Sequence, residues 1–218
     1  MTKFYFIRHG KTQWNLERRY QGAGGDSPLL PESIAAIHEL ADYLKDVHFD
    51  HAYVSPLPRT RATARVLIDD MGTAIPLTVD DAFKEFNLGK LEGMTFEAAA
   101  AKYPQECDAF HHHPDQYRTD RIGGESFTDV INRVTPRLQA IAREFPAGNI
   151  LVVTHGGVLC AELGHLLGYS LADLRRRGGL VNTSTSIFET VDGGAHFKCC
   201  AFNETSYLHR KIDESDTV

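Results

Sequence analysis

The chain has 218 residues, of which 42% are hydrophobic and 24% charged, with 23 basic and 29 acidic side chains and a formal net charge of −6. This composition excludes intrinsic disorder and a collagen-like repeat. The negative net charge disfavours a general nucleic-acid binder but is compatible with a local cationic pocket. No apolar run approaches the roughly 18 residues that span a bilayer, and the N-terminus lacks signal-peptide features. We therefore expect a cytoplasmic protein without a membrane partner.

The first eighty residues alternate between strand and helix patterns. Residues 3–8 are aromatic and β-branched and predict a buried strand. Apolar residues at steps of three and four from Pro31 to about Lys45 predict an amphipathic helix. Further patterns predict a strand over 51–54, a helix over 56–71 and a strand over 75–79. This alternation is typical of a mainly parallel sheet.

The pattern weakens between Glu85 and Gly124, with one predicted helix near 96–102 and a break at Pro104. We interpret residues 94–123 as a cap or insertion. Later residues predict a helix beginning after Ser126 and kinked at Pro136, a buried strand over 149–154, a helix ending at Leu167, and hairpin strands over 185–191 and 196–202.

The predicted fold is α/β, a three-layer sandwich with a mostly parallel central sheet, helices on both faces and a small cap insertion. The chain shows no repeat or linker, so we expect a single domain over residues 1–218. Its four cysteines lack the spacing of zinc or redox motifs and are expected to be reduced thiols. Cys199 and Cys200 should face opposite sides of a strand. The oligomeric state stays open.

Two histidines follow predicted strands in the same local sequence pattern, in which the histidine is followed by glycine. His9 precedes Gly10, and His155 precedes Gly156 and Gly157. Ligands of open α/β sheets bind beyond the carboxyl ends of the strands, where glycine lets a ligand approach the backbone closely. Either histidine alone could be an ordinary hydrogen-bonded loop residue, but the repeated arrangement favours a shared site.

Two arginines are placed to give such a site positive charge. Arg8 lies beside His9, and Arg59 begins a predicted helix at the same edge of the sheet. A cation at the positive end of a helix dipole is unfavourable unless an anion accompanies it. The planar guanidinium fork is suited to phosphate oxygens. These residues therefore predict a phosphoryl pocket.

Five segments carry a family resemblance: residues 8–15, residues 55–64, Glu85 with residues 89–93, residues 124–126, and residues 154–156. In this order, over nearly the whole chain, they resemble the histidine phosphatase superfamily, the phosphoglycerate mutase-like proteins. The resemblance implies that His9 accepts the phosphoryl group and that Glu85 protonates the leaving alkoxide, with Glu92 as a weaker candidate. It also implies that the phosphoryl oxygens are bound by Arg8, Arg59 and His155, with contributions from Asn15, Gln21 and Gly156.

The resemblance implies a metal-independent phosphomonoesterase that acts on a small phosphorylated metabolite through a phosphohistidine, without a cofactor. A cofactor-dependent phosphoglycerate mutase is the alternative, and a non-catalytic phosphate-binding module is a third. The short insertion, with only Arg118 and Arg121 in the corresponding stretch, favours the phosphatase, as does the sequence His-Gly-Gly at residue 155. The substrate itself is left open.

Three further groups have weaker interpretations. The consecutive histidines 111–113 are expected in a solvated loop, because neighbouring side chains do not easily converge on a metal. One of them, Tyr117 or Arg121 could contact the substrate. The arginines 175–177 are expected at a solvated helix end, with an anion-steering rim as the alternative, and residues 182–184 are expected to support the pocket.

Overall fold

The computed structural model describes residues 1–217, and within them six strands form one sheet in the order β3-β2-β4-β1-β5-β6. The strands are β1 (Thr2–Arg8), β2 (His51–Val54), β3 (Leu77–Val79), β4 (Asn149–Thr154), β5 (Thr185–Thr190) and β6 (Lys198–Glu204). Strands β1 to β4 run parallel, and β5 is antiparallel to both of its neighbours. The predicted α/β class with a mostly parallel sheet is confirmed.

Seven helices lie within residues 1–217. They are α1 (Gln13–Leu16), α2 (Pro31–Leu44), α3 (Pro58–Met71), α4 (Phe96–Lys102), α5 (Pro104–His112), α6 (Phe127–Glu144) and α7 (Gly156–Leu166). Five of them agree closely with the predicted ranges, whereas α1 and α5 were not predicted. Helix α6 begins with the predicted capping box at Ser126 and continues through Pro136 to its end. No helix within residues 1–217 combines the length and apolarity required to cross a membrane.

Alternate residues of the strands face two different cores, because successive side chains of a strand point to opposite sides. On β1, Phe4 and Phe6 belong to one cluster, and Tyr5 and Ile7 to the other. The first cluster includes residues of α6 and α7, and the second includes residues of α2 and α3. The sheet is therefore covered by helices on both faces.

The segment 94–123 contains more helix than its sequence suggested. The predicted break at Pro104 is present, since α4 ends at Lys102, but a second helix, α5, begins at Pro104 and was not predicted. Proline is tolerated in the first turn of a helix, where its missing N–H has no intrahelical acceptor. Within this segment Phe110 and Tyr117 are buried and pack in the same core cluster as α6 and α7. The segment is thus anchored to the domain by apolar contacts.

The four cysteines, all within the described residues, are free thiols. Cys199 is partly buried against a core cluster, whereas Cys200 is exposed. The predicted alternation of these two side chains on strand β6 is confirmed.

Strand register brings the two sequence motifs together. Arg8, the last residue of β1, pairs with Thr154, the last residue of β4, so His9 and His155 leave the sheet side by side. Strand β2 also pairs with β4 and ends at the same edge, just before α3. The carboxyl ends of three parallel strands therefore meet where Arg8, Arg59 and both histidines lie.

One buried acid lies away from this edge. Glu162 of α7 is 1% exposed, and its Oε1 accepts a hydrogen bond of 2.8 Å from the Thr135 hydroxyl of α6. Its Oε2 is buried without a hydrogen-bond partner among the described residues. Burial raises the pKa of the Glu162 carboxyl to about 8, because the charged form loses its hydration.

We expect Glu162→Gln to flatten the pH dependence of stability. The folded-state pKa lies above the unfolded value, so the folded chain binds more protons and the free energy of unfolding falls as pH rises from about 4.5 to 8. Urea unfolding at pH 5 and pH 8 should show a wild-type loss on the order of 2–4 kcal/mol that the variant lacks. Glu97→Gln, at an exposed helix position, is the matched control and should retain the wild-type slope. Equal slopes for Glu162→Gln and wild type would contradict the assignment.

Candidate active site

The predicted pocket residues converge on one narrow cavity of about 40 Å³. Its walls include, from the predicted set, Arg8, His9, Asn15, Gln21, Arg59 and Glu85. The His155 ring is fully buried behind it, with its centroid 5.2 Å from that of His9. Five segments distant in sequence, between residue 8 and residue 155, thus contribute to one crevice.

His9 is held as a neutral imidazole with a defined tautomer. Its Nδ1 lies 2.8 Å from the carbonyl oxygen of Gly10, which can only accept, so Nδ1 carries the proton. Burial, together with Arg59 and Arg8, lowers the pKa of His9 well below its usual value. At neutral pH the lone pair therefore resides on Nε2, the nitrogen that this hydrogen bond leaves free.

His155 is the N-cap residue of α7 and is also buried as a neutral ring. Its Nε2 shares a hydrogen bond of 2.7 Å with the Ser55 hydroxyl, whereas its Nδ1 is buried and has no partner among residues 1–217. Burial and the charges of Arg59 and Arg8 lower the pKa of His155 well below its usual value. A dianion in the crevice would oppose that effect and favour the protonated ring.

The Arg8 guanidinium is fully buried and is oriented by backbone carbonyls. Its Nη1 donates to the carbonyl oxygens of Leu180 and Asp216, and its Nε has no hydrogen-bond partner among the described residues. Burial lowers the pKa of Arg8 to about 10, so the side chain stays charged at neutral pH. A Cβ atom at Gly156 would lie 2.9 Å from Arg8 Nε, and the glycine therefore makes room for the guanidinium.

Arg59, in the first turn of α3, is held by the loop that follows α1. Its Nη1 donates to the Gly25 carbonyl at 2.8 Å and to Asp26 at 2.9 Å, and its Nη2 donates to the Gly22 carbonyl at 2.9 Å. Its Nε is buried without a partner in the part of the chain described. Burial lowers the pKa of Arg59. Both guanidinium groups thus retain a buried, unused donor.

The Glu85 carboxylate is fixed by three backbone N–H groups. Oε1 accepts from Phe86 at 2.9 Å and Val158 at 3.0 Å, and Oε2 accepts from Gly157 at 3.1 Å. Two of these donors are N-terminal groups of α7 that lack intrahelical acceptors. A Cβ atom at Gly157 would lie 2.7 Å from Glu85 Oε1, so the second glycine after His155 admits this carboxylate.

Asn15 and Gln21 line the cavity and are connected through Thr12. The Asn15 Oδ1 accepts from the Thr12 backbone N–H at 3.0 Å and forms the capping box of α1. The Gln21 Nε2 donates to the Thr12 hydroxyl at 2.8 Å. Hydrogen bonds to Thr12 therefore fix the positions of both side chains in the cavity wall.

Glu92, the weaker candidate for the acid, contacts the loop after α1 and not the cavity that Glu85 lines. Its Oε1 accepts from the N–H groups of Ala23 at 3.1 Å and Leu88 at 3.0 Å, and its Oε2 accepts from Gly24 at 2.9 Å. It stabilises the loop whose carbonyls hold Arg59, and it is absent from the residues that line the cavity. Its geometry is that of a loop anchor.

Two segments near the C-terminal end of the described residues hold the residues around His9 in place. Asn182 Nδ2 donates to the His9 carbonyl at 3.1 Å, as expected of residues 182–184. Sequence reasoning missed the short 3₁₀ turn Glu214–Asp216. Asp216 of this turn supplies a backbone carbonyl to Arg8, and the carboxylates of the N-cap residue Asp213 and of Asp216 pair with Lys11 Nζ at 3.2 and 3.3 Å. The capping-box pattern of Asp213 and Asp216 was a sequence signal for a turn. No sequence signal indicated that this turn packs against the pocket.

The weaker predictions had mixed outcomes. His111 was expected in a solvated loop, but it lies in α5, and its Nε2 shares a hydrogen bond of 2.8 Å with the Tyr20 hydroxyl. Tyr117 is in the core, and Arg121 pairs with Glu106, so neither lines the cavity. Within residues 1–217 no group of three or more His, Cys, Asp or Glu side chains is arranged to hold a metal ion.

Comparison with known proteins identifies relatives over most of the chain. The probable phosphoglycerate mutase GpmB of Yersinia pestis (strain Pestoides F) is 33% identical over 196 residues, covering 85% of this chain and 84% of the relative. The uncharacterized phosphatase PhoE of Bacillus subtilis (strain 168) is 29% identical over 168 residues, covering 77% of this chain and 79% of the relative. The solved structure of Bacillus stearothermophilus YhfR superposes with a TM-score of 0.87 at 32% identity, covering 95% of this chain and 99% of that one.

The family model of the histidine phosphatase superfamily (branch 1) matches residues 4–203. This match includes both histidines, both pocket arginines and Glu85. The chain therefore belongs to the histidine phosphatase superfamily.

Proposed function

We propose that this protein is a phosphomonoesterase that hydrolyses a small phosphorylated metabolite through a phosphohistidine on His9. The observation that carries the proposal is the state of His9, a buried neutral imidazole whose Nδ1 is bonded to Gly10 and whose Nε2 is free beside two buried guanidinium groups. An imidazole nitrogen of this kind is a nucleophile near pH 7.

In the proposed first step, the Nε2 lone pair of His9 forms a bond to phosphorus while the ester P–O bond breaks. The electron pair of that bond goes to the leaving oxygen. Arg8, Arg59 and His155 bind the other phosphoryl oxygens, whose charge the buried guanidinium groups stabilise more strongly than water would. The N–H of Gly156, at the start of α7, has no intrahelical acceptor and adds a further donor, and Asn15 and Gln21 complete the polar rim.

Glu85 is the proposed acid and base. It lines the cavity that holds His9, and three backbone N–H groups fix its carboxyl group there. In the first step, protonated Glu85 transfers its proton to the leaving alkoxide. In the second step, a water oxygen attacks phosphorus, the P–N bond breaks, and Glu85 takes a proton from that water. The sum is one ester and one water converted to an alcohol and phosphate.

The phosphoglycerate mutase alternative is supported by the name of the GpmB relative. The contacts of the arginines in the insertion favour hydrolysis over the mutase reaction. Its two arginines are engaged elsewhere, Arg118 with the carbonyls of Asp115 and Tyr117 and Arg121 with Glu106. Neither arginine lines the catalytic cavity or could hold a second phosphorylated intermediate there in this conformation. Incubation with a phosphoglycerate distinguishes the two reactions, since a mutase yields the isomer and a phosphatase yields inorganic phosphate.

We expect His9→Ala to abolish turnover of phosphomonoesters and to leave the thermal unfolding midpoint within a few degrees of wild type. The side chain supplies the nucleophile but only one local hydrogen bond to the fold. Rapid quenching of wild type with labelled substrate should trap an acid-labile, alkali-stable adduct that is missing from the variant. Turnover retained in His9→Ala would contradict the covalent mechanism.

Glu85→Gln should lower kcat/KM for alkyl phosphates by about 10²–10⁴-fold and kcat/KM for p-nitrophenyl phosphate far less, because in the first step only an alkoxide needs a proton to leave. The comparison of kcat/KM for glycerol phosphate and p-nitrophenyl phosphate measures this selectivity, because kcat/KM reports the steps up to phosphorylation of His9 and not the later hydrolysis of the phosphohistidine, which both substrates share.

Glu92→Gln is the matched control for that experiment. Glu92 also accepts three backbone N–H groups, two on one oxygen and one on the other, but it lies outside the cavity. We expect it to affect both substrates equally, through the loop that holds Arg59. If Glu85→Gln also slows both substrates equally, Glu85 positions the pocket and is not the acid.

A further inference from the structure

A second, wider cavity of about 670 Å³ adjoins the catalytic one. The two cavities share Arg18, Tyr20, Phe96 and Thr217 in their walls. The inner cavity is narrow, at about 40 Å³, so the part of a substrate beyond its phosphoryl group must extend outward. The wider cavity, hereafter the outer cavity, lies where that part can be accommodated.

Most of the outer cavity wall is uncharged at neutral pH. Phe96, Ala100, Pro104 and Cys107 contribute apolar or weakly polar surface. His111 also faces it, but burial and neighbouring cations lower the pKa of His111 to about 3, so its ring stays neutral. The charges that this cavity offers a ligand therefore come from a small number of other side chains.

Among those charges, Arg175 lacks a carboxylate partner. Arg18 pairs with Glu214 at 3.0 Å, and Asp108 lies 3.9 Å from the imidazole of His113. Among residues 1–217, Arg175 is in no ion pair, and its side chain donates no hydrogen bond to another residue. Its Nη1 is buried without a partner, although a buried donor of a charged group ordinarily has one.

Arg175 also lies close to the catalytic cavity. Its Cζ stacks on the Phe110 ring at 5.3 Å from the centroid, and Phe110 itself lines the inner cavity. The ring limits the freedom of the guanidinium, so a ligand meets an oriented donor group. An anion at this point would supply the acceptor that Nη1 lacks.

We propose that the outer cavity binds a second anionic group of the substrate, a carboxylate or a phosphate, and that Arg175 is the residue that selects for it. This inference rests on the proposed phosphatase function. It identifies the substrate class as small phosphomonoesters whose non-phosphate part carries a negative charge.

The test compares two esters with the same leaving group. They are 4-(2-carboxyethyl)phenyl phosphate and its primary amide, in which two methylene groups insulate the phenol from the varied end. We expect wild type to prefer the carboxylate in kcat/KM by about tenfold, in the range of a hydrogen bond to a charged group. Arg175→Met, which keeps an apolar contact with Phe110, should abolish the preference and leave kcat/KM for the amide within about twofold.

Arg176→Met is the matched control. It removes the same charge from the next residue, whose guanidinium stacks on Tyr169 at 4.7 Å and does not line the outer cavity. This variant should retain the wild-type preference. If Arg175→Met and Arg176→Met change the ratio equally, or if wild type has no preference, the assignment of Arg175 is overturned.

A third ester carrying a phosphate at the end of the arm distinguishes the two anions. A larger Arg175-dependent preference for it assigns a phosphate, and a larger preference for the carboxylate assigns a carboxylate. Calorimetric binding of the carboxylate and amide esters to His9→Ala and to His9→Ala with Arg175→Met makes the same comparison without turnover. A chain that hydrolyses neither ester would refute the proposed function, and the ratio of the binding constants would still decide the role of Arg175.

Discussion

The structure depends on one electrostatic constraint, the burial of Arg8 and Arg59 beside two histidines at a single edge of the sheet. Two guanidinium groups within a low-dielectric crevice are costly unless acceptors surround them. The chain meets this requirement mainly with backbone carbonyls, those of Leu180 and Asp216 for Arg8 and those of the loop after α1 for Arg59. Carbonyls orient a cation without neutralising it. Arg59 also pairs with Asp26, whereas Arg8 is in no ion pair within residues 1–217, so the charge of Arg8 in particular remains available to attract an anion. The neutral state of His9 follows first from its burial and then from the same charges, which together lower its pKa.

The two glutamates near this crevice show how similar contacts serve different purposes. Glu85 and Glu92 each accept three backbone N–H groups, yet one faces the cavity and the other holds a loop. A carboxylate bound in this way has little freedom to rotate. For Glu85 that rigidity fixes the position of a group able to exchange a proton, whereas for Glu92 it maintains the carbonyls that hold Arg59.

Local patterns and the parallel-strand rule predicted the fold, the two histidines and the two pocket arginines, whereas Asn15, Gln21 and Glu85 were assigned through the family resemblance. Motifs at the ends of β1 and β4 were expected at the same edge once both strands were placed in one parallel sheet, and the strand order of the structure makes the two strands neighbours. Apart from one helix, the errors concern contacts that no local pattern encodes. The break at Pro104 was predicted correctly, but helix α5 was missed because the proline that follows one helix also occupies the first turn of the next. The contribution of Asp216 depends on where the end of the chain packs, and the roles of Glu92 and Arg175 depend on which neighbours surround them.

The contact between Arg8 and Asp216 has a consequence for folding as well as for the site. These residues are 208 positions apart, and the same turn supplies both carboxylates that pair with Lys11. Contacts of such high sequence separation form late, because the loop-closure entropy must be overcome first. At a synthesis rate of about 5–20 residues per second, on the order of 10–40 s pass between the synthesis of these two residues. During that interval Arg8 and Lys11 lack these acceptors, and the pocket around His9 stays incomplete.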